Sequence, residues 1–513
     1  MENILNIVNF IRGAEPRHRS LDLAEPVRRQ IELMKQCGLP GTFLLQYDAM
    51  LREDIVSLLR ELPAEQFELG IWLEMNQPHV EAAGLAWRGR PGFEWDWHAH
   101  CGFSVGYTKA ERERLADVIF EKFEEVFGFG AKSVGAWMID AHTLAYMTEK
   151  YGIEASCNCK DQWGTDGYTI WGGYWNQGYY PSRHNVFCPA QSREAQIDVP
   201  VFRMLGSDPV TQYDLGLSVD GGAADWQQVA TLEPVYDPSC GNKAGGCPEW
   251  VDWFMRQNFN GGSLAFAYAQ AGQENSFGWK RMKDGLEYQF PLFAAWRREK
   301  GLRVEKLCDT GRWYKQNFAQ TPATSVSALE PFGERMAQSV WYNCRNYRVN
   351  VYRDQAGVRV RDLVLFDEKY EERYMNEVCT TDYLVYDNLS LIDGNRMSGD
   401  GILAGGYAVD TSGQPIDAQL CVEERENALH IVFGKYALDT DETGLILTGG
   451  AGMEMRWANE KGRVREICGN RLICSHNGVQ YALNVRKGRI HAGKCIRLIP
   501  ENDVLSIAPE RMK

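Results

Sequence analysis

Ser133-Val134-Gly135-Ala136-Trp137-Met138-Ile139-Asp140 is an apolar run that ends on an acid. A helical pattern follows at once, through Leu144 and Met147 to Gly152, and a second short run, Glu154–Cys159, comes directly after it. Runs too apolar to leave one face in water read as strands covered on both sides. Two such strands joined by one amphipathic helix make a parallel unit with a right-handed crossover. This unit decides the fold class, because the first 270 residues repeat it.

Working outward, the runs Leu5–Ile11, Thr42–Tyr47 and Phe67–Glu74 precede the unit, and Val199–Leu205 and Ser263–Gln270 follow it. Asp22 and Glu25 give a capping-box-like helix start, Val27, Ile31 and Met34 share one face, and Gly38 is the stop. Thr108 and Glu111 repeat the device before Leu115, Val118, Ile119 and Val126, with Gly128 as the stop. Seven strands alternating with helices predict an α/β fold, a seven-stranded parallel (β/α) barrel over residues 1–300. Residues 301–345 read as a helical or irregular connector. From 346 to 513 the pattern changes to short strands separated by turns such as Asp393-Gly394, Asp400-Gly401 and Asn477-Gly478. This predicts an all-β C-terminal domain, a β-sandwich.

Composition narrows the function. A chain of 513 residues suggests two to four domains. With 44% hydrophobic and 24% charged residues it is ordinary for a globular protein, and a net charge of −14 argues against a nucleic-acid partner. No run reaches the roughly 18–20 apolar residues of a membrane span, and the N-terminus has neither the basic region nor the long apolar region of a signal peptide. The 14 cysteines form no CxxC pair and read as reduced, mostly buried thiols in a cytoplasm. Aromatics reach 12%, and eight of the 16 tryptophans lie between Trp72 and Trp175, a fifth of the chain. Two stretches there break the strand–helix rhythm, Gly84–Tyr107 and Asp161–Asp198. Long ordered loops of this kind are usually functional.

In parallel β/α barrels the site lies at the carboxyl ends of the strands. Those ends deliver Arg12 and Glu15, Asp48, Glu74 with Asn76 and Gln77, Asp140 with His142, Asp161 with Trp163, and Gln273 with Glu274. Carboxylates and amides hydrogen-bond hydroxyls, and indoles cover the apolar faces of sugar rings. The candidate binding residues are therefore Arg12, Glu15, Asp48, Asn76, Gln77, Trp97, His98, His142, Asp161, Trp163, Trp175 and Gln273. Glycoside cleavage needs two carboxyl groups flanking the bond. Glu74 and Asp140, each at the end of an apolar run, are the expected pair, and Glu274 is the rival for either role. The alternative for Glu74 is a structural ion pair with Arg12 or Arg17. His98-Ala99-His100, set as a strand, would place two rings on one face and, with His79 and His142, raises a divalent metal as an alternative. No HxxxH pair or Asp-Asp element accompanies them, so no cofactor is the first expectation. Nucleotide and serine-triad motifs are absent as well.

Pro40-Gly41-Thr42-Phe43-Leu44 resembles the second strand of the polysaccharide deacetylases, and Phe67-Glu68-Leu69-Gly70 the segment that leads to their metal histidines. The first 300 residues thus resemble the glycoside hydrolase/deacetylase superfamily. That group of seven-stranded (β/α) barrels includes NodB-type deacetylases and glycoside hydrolase families 57 and 38. Deacetylases carry an Asp-Asp pair where this chain has Ile11-Arg12-Gly13, and HxxxH where it has Trp72-Leu73-Glu74-Met75-Asn76. The resemblance implies the fold, and among its activities a carboxylate-based glycosidase acting on a small saccharide or glycoside. A metal-dependent deacetylase or amidohydrolase and a non-catalytic saccharide-binding protein are the alternatives. The C-terminal domain is the candidate contact of a homo-oligomer.

Overall fold

The computed structural model describes residues 2–165, 168–210, 230–235, 244–332, 336–458, 462–493 and 495–512; the side chains of 162–169 lie outside the description as well. Parallel strands dominate the first half, among them β1 (Glu2–Ile11), β2 (Gly41–Leu45), β3 (Phe67–Trp72), β4 (Ser133–Gly135), β5 (Ala155–Asn158), β6 (Val201–Arg203) and β7 (Phe266–Ala271). They run side by side in the order β7-β1-β2-β3-β4-β5-β6 within a nine-stranded sheet. Gly178–Tyr179 caps β6 antiparallel, and Arg303–Glu305 adds a further parallel strand beside Ile4–Asn6 of β1. Among the described residues no ladder joins β6 to β7. Their rings meet instead, Phe202 and Tyr268 with centroids 4.9 Å apart. The sheet is parallel-dominated, barrel-like and nearly closed.

Each strand lies within one of the seven apolar runs or overlaps it, because side chains on both faces are buried. The helices outside follow their signals. Asp22 Oδ1 accepts the amides of Ala24 and Glu25 at the start of α1 (Ala24–Cys37), and Gly38 ends it with φ 64°. The capping box at Thr108 and Glu111 opens α2 (Lys109–Phe127). Asp140 is the N-cap of α3 (Ala141–Tyr151). No helix among the described residues is long and apolar enough to cross a membrane.

The second half holds a nine-stranded and an eight-stranded antiparallel sheet. Val340, Val349 and Leu363 from the first share one apolar cluster with Leu429, Ile431 and Leu483 from the second. The nine-stranded sheet starts at Thr324–Ala328, inside the segment expected to be helical or irregular. That strand fully buries its five residues, which a polar-looking Thr-Ser-Val-Ser-Ala does not announce.

The aromatic stretch after Asp161 is not a structureless loop. It contains the strands Gln162–Thr165, Tyr168–Ile170 and Asn185–Pro189. Trp171, Tyr174, Trp175, Tyr179 and Tyr180 are all buried. Trp175 stacks on Trp341 of the antiparallel sheet, with centroids 4.3 Å apart and parallel rings. These side chains glue the two halves together.

Candidate functional site

The strand ends converge on Arg12. Asn275 clamps its backbone: the Arg12 amide donates to Asn275 Oδ1 at 2.9 Å, and Asn275 Nδ2 returns a bond to the Arg12 carbonyl at 2.9 Å. The guanidinium leaves β1 toward two acids. Nη2 donates to Glu74 Oε2 at 3.3 Å, and Nη1 to Glu274 Oε1 at 3.0 Å. The Trp95 ring covers it, 3.7 Å from the guanidinium carbon. All four side chains are buried, and a desolvated cation–π contact of this kind contributes about 2 kcal/mol.

Glu74 Oε2 also accepts Gln46 Nε2 at 2.7 Å and Trp72 Nε1 at 2.8 Å. Glu274 Oε1 accepts the Ser276 hydroxyl at 2.5 Å. The second oxygen of each acid, Glu74 Oε1 and Glu274 Oε2, has no hydrogen-bond partner among the described residues. Asp48 stands beside them. Its Oδ1 accepts the Gly13 amide at 3.0 Å while Oδ2 has no partner there. The close approach requires glycine, since a Cβ on Gly13 would lie 2.5 Å from the Asp48 carbonyl carbon.

Burial sets the proton affinities. It pushes Glu274 up to about 7 against the pull of Arg12 and Ser276, and the charge of Glu74 adds to the rise. It pushes Asp48 up to about 6, opposed by the Gly13 and Ala49 amides and by Arg12. It raises Glu74 as well, opposed first by Arg12 and then by the Trp72 and Gln46 donors. Three buried carboxyl groups around one guanidinium cannot all be charged without excess negative charge, so protons are held here near neutral pH.

Around this core, Gln273 Nε2 donates to Glu233 Oε1 at 2.7 Å, and its own Oε1 accepts the Glu274 amide at 2.7 Å. Glu15 is buried and clasped by Arg17, whose Nε and Nη2 lie 2.8 and 2.7 Å from its oxygens. Burial would raise this carboxyl, yet Arg17 and Arg12 hold it below its ordinary value. Arg17 in turn lies over Trp95 and Trp97, 5.1 and 5.0 Å from the ring centroids. Asn76 pairs with Trp95 through a β-bridge and caps the helix that follows, accepting the His79 amide at 3.2 Å.

Several expected residues go elsewhere. Asp140 does not join Glu74. Its Oδ1 accepts Arg112 Nη1 and the Thr143 amide, both at 3.0 Å, and its Oδ2 accepts the Ser104 and Thr143 hydroxyls at 2.5 and 2.6 Å. Burial alone would raise it, but Arg112 and then these donors hold the carboxyl below its ordinary range. It is an N-cap locked in an ion pair. Asp161 is likewise consumed, by Arg203 at 3.1 Å and Arg348 at 2.7 Å. His142 pairs with Glu113 on the surface of the neighbouring helix, and Gln77 with Glu81 one turn on. Trp175 is core. Trp97 sits under Arg90, 4.2 Å from its centroid. His98 and His100 are not on a strand; they stand at the start of the single helical turn Ala99–Gly102. The Trp163 side chain lies outside the described residues. Conversely, Gln46, Trp95, Glu233 and Ser276 belong to the site without being among the residues expected from the sequence. Gln46 at a strand end and Ser276 two residues after an acid carried a positional signal; Trp95 and Glu233 carried none.

A search of solved structures finds a protein assigned as a glycoside hydrolase/deacetylase from Parabacteroides distasonis, 15% identical, with a TM-score of 0.52 over 76% of this chain and 90% of that one. The chain shares the fold of that protein. A polysaccharide deacetylase from Mycobacterium smegmatis (13% identity, 62% and 92% coverage, TM-score 0.37) also aligns with the chain. So does a GH57-type branching enzyme from Pyrococcus horikoshii (11%, 63% and 71%, 0.34). No protein-family model and no curated protein sequence matches the chain. The residues at these strand ends do not fit a metal. The charge between Glu74 and Glu274 is already supplied by the Arg12 guanidinium, and His79 turns its Nε2 to the Leu115 carbonyl at 2.8 Å.

Proposed function

We propose that the protein is a carbohydrate-active hydrolase that cleaves the glycosidic bond of a small saccharide or glycoside, with Glu74 and Glu274 as its two carboxyl groups. On this reading residues 1–300 are the catalytic (β/α)7 barrel, and the antiparallel half is a β-sandwich appended to it. The observation that carries the reading is the single guanidinium of Arg12 spanning two buried acids, each with one oxygen left over. Glycoside cleavage asks for one protonated acid at the leaving oxygen and one carboxylate on the other side of the sugar.

The environments divide the roles. Glu274, at about 7, keeps a proton at neutral pH and is the general acid. Glu74 has three donors on one oxygen, all of which favour its charged form, and is the nucleophile or base through the other. Asp48 Oδ2 is placed to accept a sugar hydroxyl. Arg12 holds both carboxyl groups in register, and Trp95 shields it from water.

The test is hydrolysis of a panel of aryl glycosides by the wild type, Glu74→Gln and Glu274→Gln. Each substitution is expected to lower kcat by roughly 10²–10⁴-fold. Full activity in both variants sinks the assignment. Acetate release from acetylated saccharides, assayed in parallel, separates it from deacetylation.

A further inference from the structure

The loop between β3 and α2 brings a second chemistry-bearing cluster together. One ring nitrogen of His98, one of His100 and a carboxylate oxygen of Asp382 lie within 4.8 Å of one another. His100 Nδ1 is 3.2 Å from Asp382 Oδ1, and His98 Nδ1 is 3.7 Å from the same oxygen. The backbone builds the arrangement. The amides of Ala99 and His100 donate to the carbonyls of Asp382 and Thr381 at 2.9 and 3.1 Å. A segment that follows the first antiparallel strands is thereby pinned beside a barrel loop.

The ring orientation of His100 is decided by its other nitrogen. Nε2 lies 3.2 Å from the Arg88 carbonyl oxygen, which can only accept, so Nε2 carries the hydrogen. Nδ1 then presents a lone pair to a carboxylate oxygen. That nitrogen is shut off from solvent and makes no hydrogen bond among the described residues. A ring nitrogen and a carboxylate oxygen face to face ask for a cation between them, a proton on Nδ1 or a metal ion, and a second imidazole, His98, turned to the same oxygen favours the metal. Zinc binds imidazole nitrogen at about 2.0–2.1 Å and carboxylate oxygen at about 2.0–2.2 Å, which sets tetrahedral ligand atoms about 3.4 Å apart. The observed 3.2 and 3.7 Å bracket that spacing. A backbone carbonyl behind a ligating histidine is also the usual outer support of such a metal.

We propose that His98, His100 and Asp382 bind one divalent transition metal, zinc by ligand type, with water at the fourth position. Asp96 Oδ2 lies 3.7 Å from His98 Nδ1 but is held by Arg90, which donates to both of its oxygens, so it is not a ligand. The metal clasps the Thr381–Asp382 segment to the loop that carries Trp95, and so fixes the ring that covers Arg12. No barrel strand end contributes a ligand, so the site stands apart from the glycosidase reading.

The test uses the full chain stripped with EDTA, titrated with zinc chloride by calorimetry and checked by elemental analysis. One zinc per chain is expected, and cobalt in its place should give the visible bands of a four-coordinate ion. His98→Ala, His100→Ala and Asp382→Ala should each weaken zinc binding by more than the roughly 10–100-fold that loss of an outer partner costs. His142→Ala should leave it unchanged. Far-UV circular dichroism and melting of the metal-free variants should match the wild type, since the three side chains are at least partly exposed. Uptake well below one zinc per chain in the wild type overturns the proposal, as does wild-type affinity in all three ligand variants.

Discussion

Replacing Glu274 with Gln isolates the property on which the acid role depends. Burial lifts this carboxyl from an ordinary 4.5 to about 7. A raised value in the folded state means that the native protein keeps a proton which the unfolded chain has released. The associated stability is fully present below pH 4.5 and is lost as the pH rises through 7. A difference of about 2.5 pH units corresponds to about 3 kcal/mol. Gln has nearly the same shape and does not titrate, so Glu274→Gln lacks this loss. The stability gap between variant and wild type should therefore move by about 3 kcal/mol in favour of the variant between pH 4.5 and 8. Asp48 titrates in both proteins, at about 6, and cancels in the difference. The assay is urea unfolding of both proteins by tryptophan fluorescence at four or five pH values. A chain with two halves need not unfold in one step, so the first transition, compared between the two proteins, is the quantity to read. A gap that stays constant across the range would mean that Glu274 is ionised at neutral pH, and it would remove Glu274 as the acid.

Other substitutions separate site from scaffold. Asp140→Asn breaks a buried pair with Arg112 and weakens the cap of α3, so stability should fall by about 3–5 kcal/mol while kcat per folded molecule stays within a few-fold; urea unfolding with active-site-normalised kinetics checks this. Trp175→Ala removes a ring stacked in the core and should destabilise by about 3–5 kcal/mol, with saccharide affinity of the folded protein unchanged in calorimetry. Trp95→Leu removes the ring over Arg12, worth about 2 kcal/mol. It should lower kcat by roughly tenfold or more with a smaller change in KM, seen in steady-state kinetics.

What could be read from sequence follows how local each signal is. Strands β1 to β7 were legible because a strand covered on both faces is largely apolar and carries few charges, and no partner need be known to see that. The helix starts at Asp22, Thr108 and Asp140 were legible for the same reason, since the acid or hydroxyl at a helix start acts on amides two or three residues away. The aromatic stretch misled because its burial is not local. Trp171 and Trp175 have Gly neighbours and no helical period, the marks of a loop, and only the distant Val326 and Trp341 turn them into core.

The acids show the same division more sharply. Glu74 and Asp140 look alike in sequence, each an acid closing an apolar run at a strand end. What separates them is a count of donors. Asp140 opens a helix whose Thr143 supplies two donors, and Ser104 and Arg112 take the rest, so neither oxygen is left for a substrate. The helix start was visible in the sequence, and an N-cap acid is an acid already engaged. Glu74 is followed by no cap of its own, because Asn76 takes that place two residues later. Its donors gather on one oxygen and leave the other without a partner among the described residues. The expected alternative, a structural ion pair with Arg12, is present and yet does not exhaust it. The same guanidinium reaches Glu274 with its other nitrogen, so the ion pair that could have marked Glu74 as scaffold instead ties two half-satisfied acids to one point.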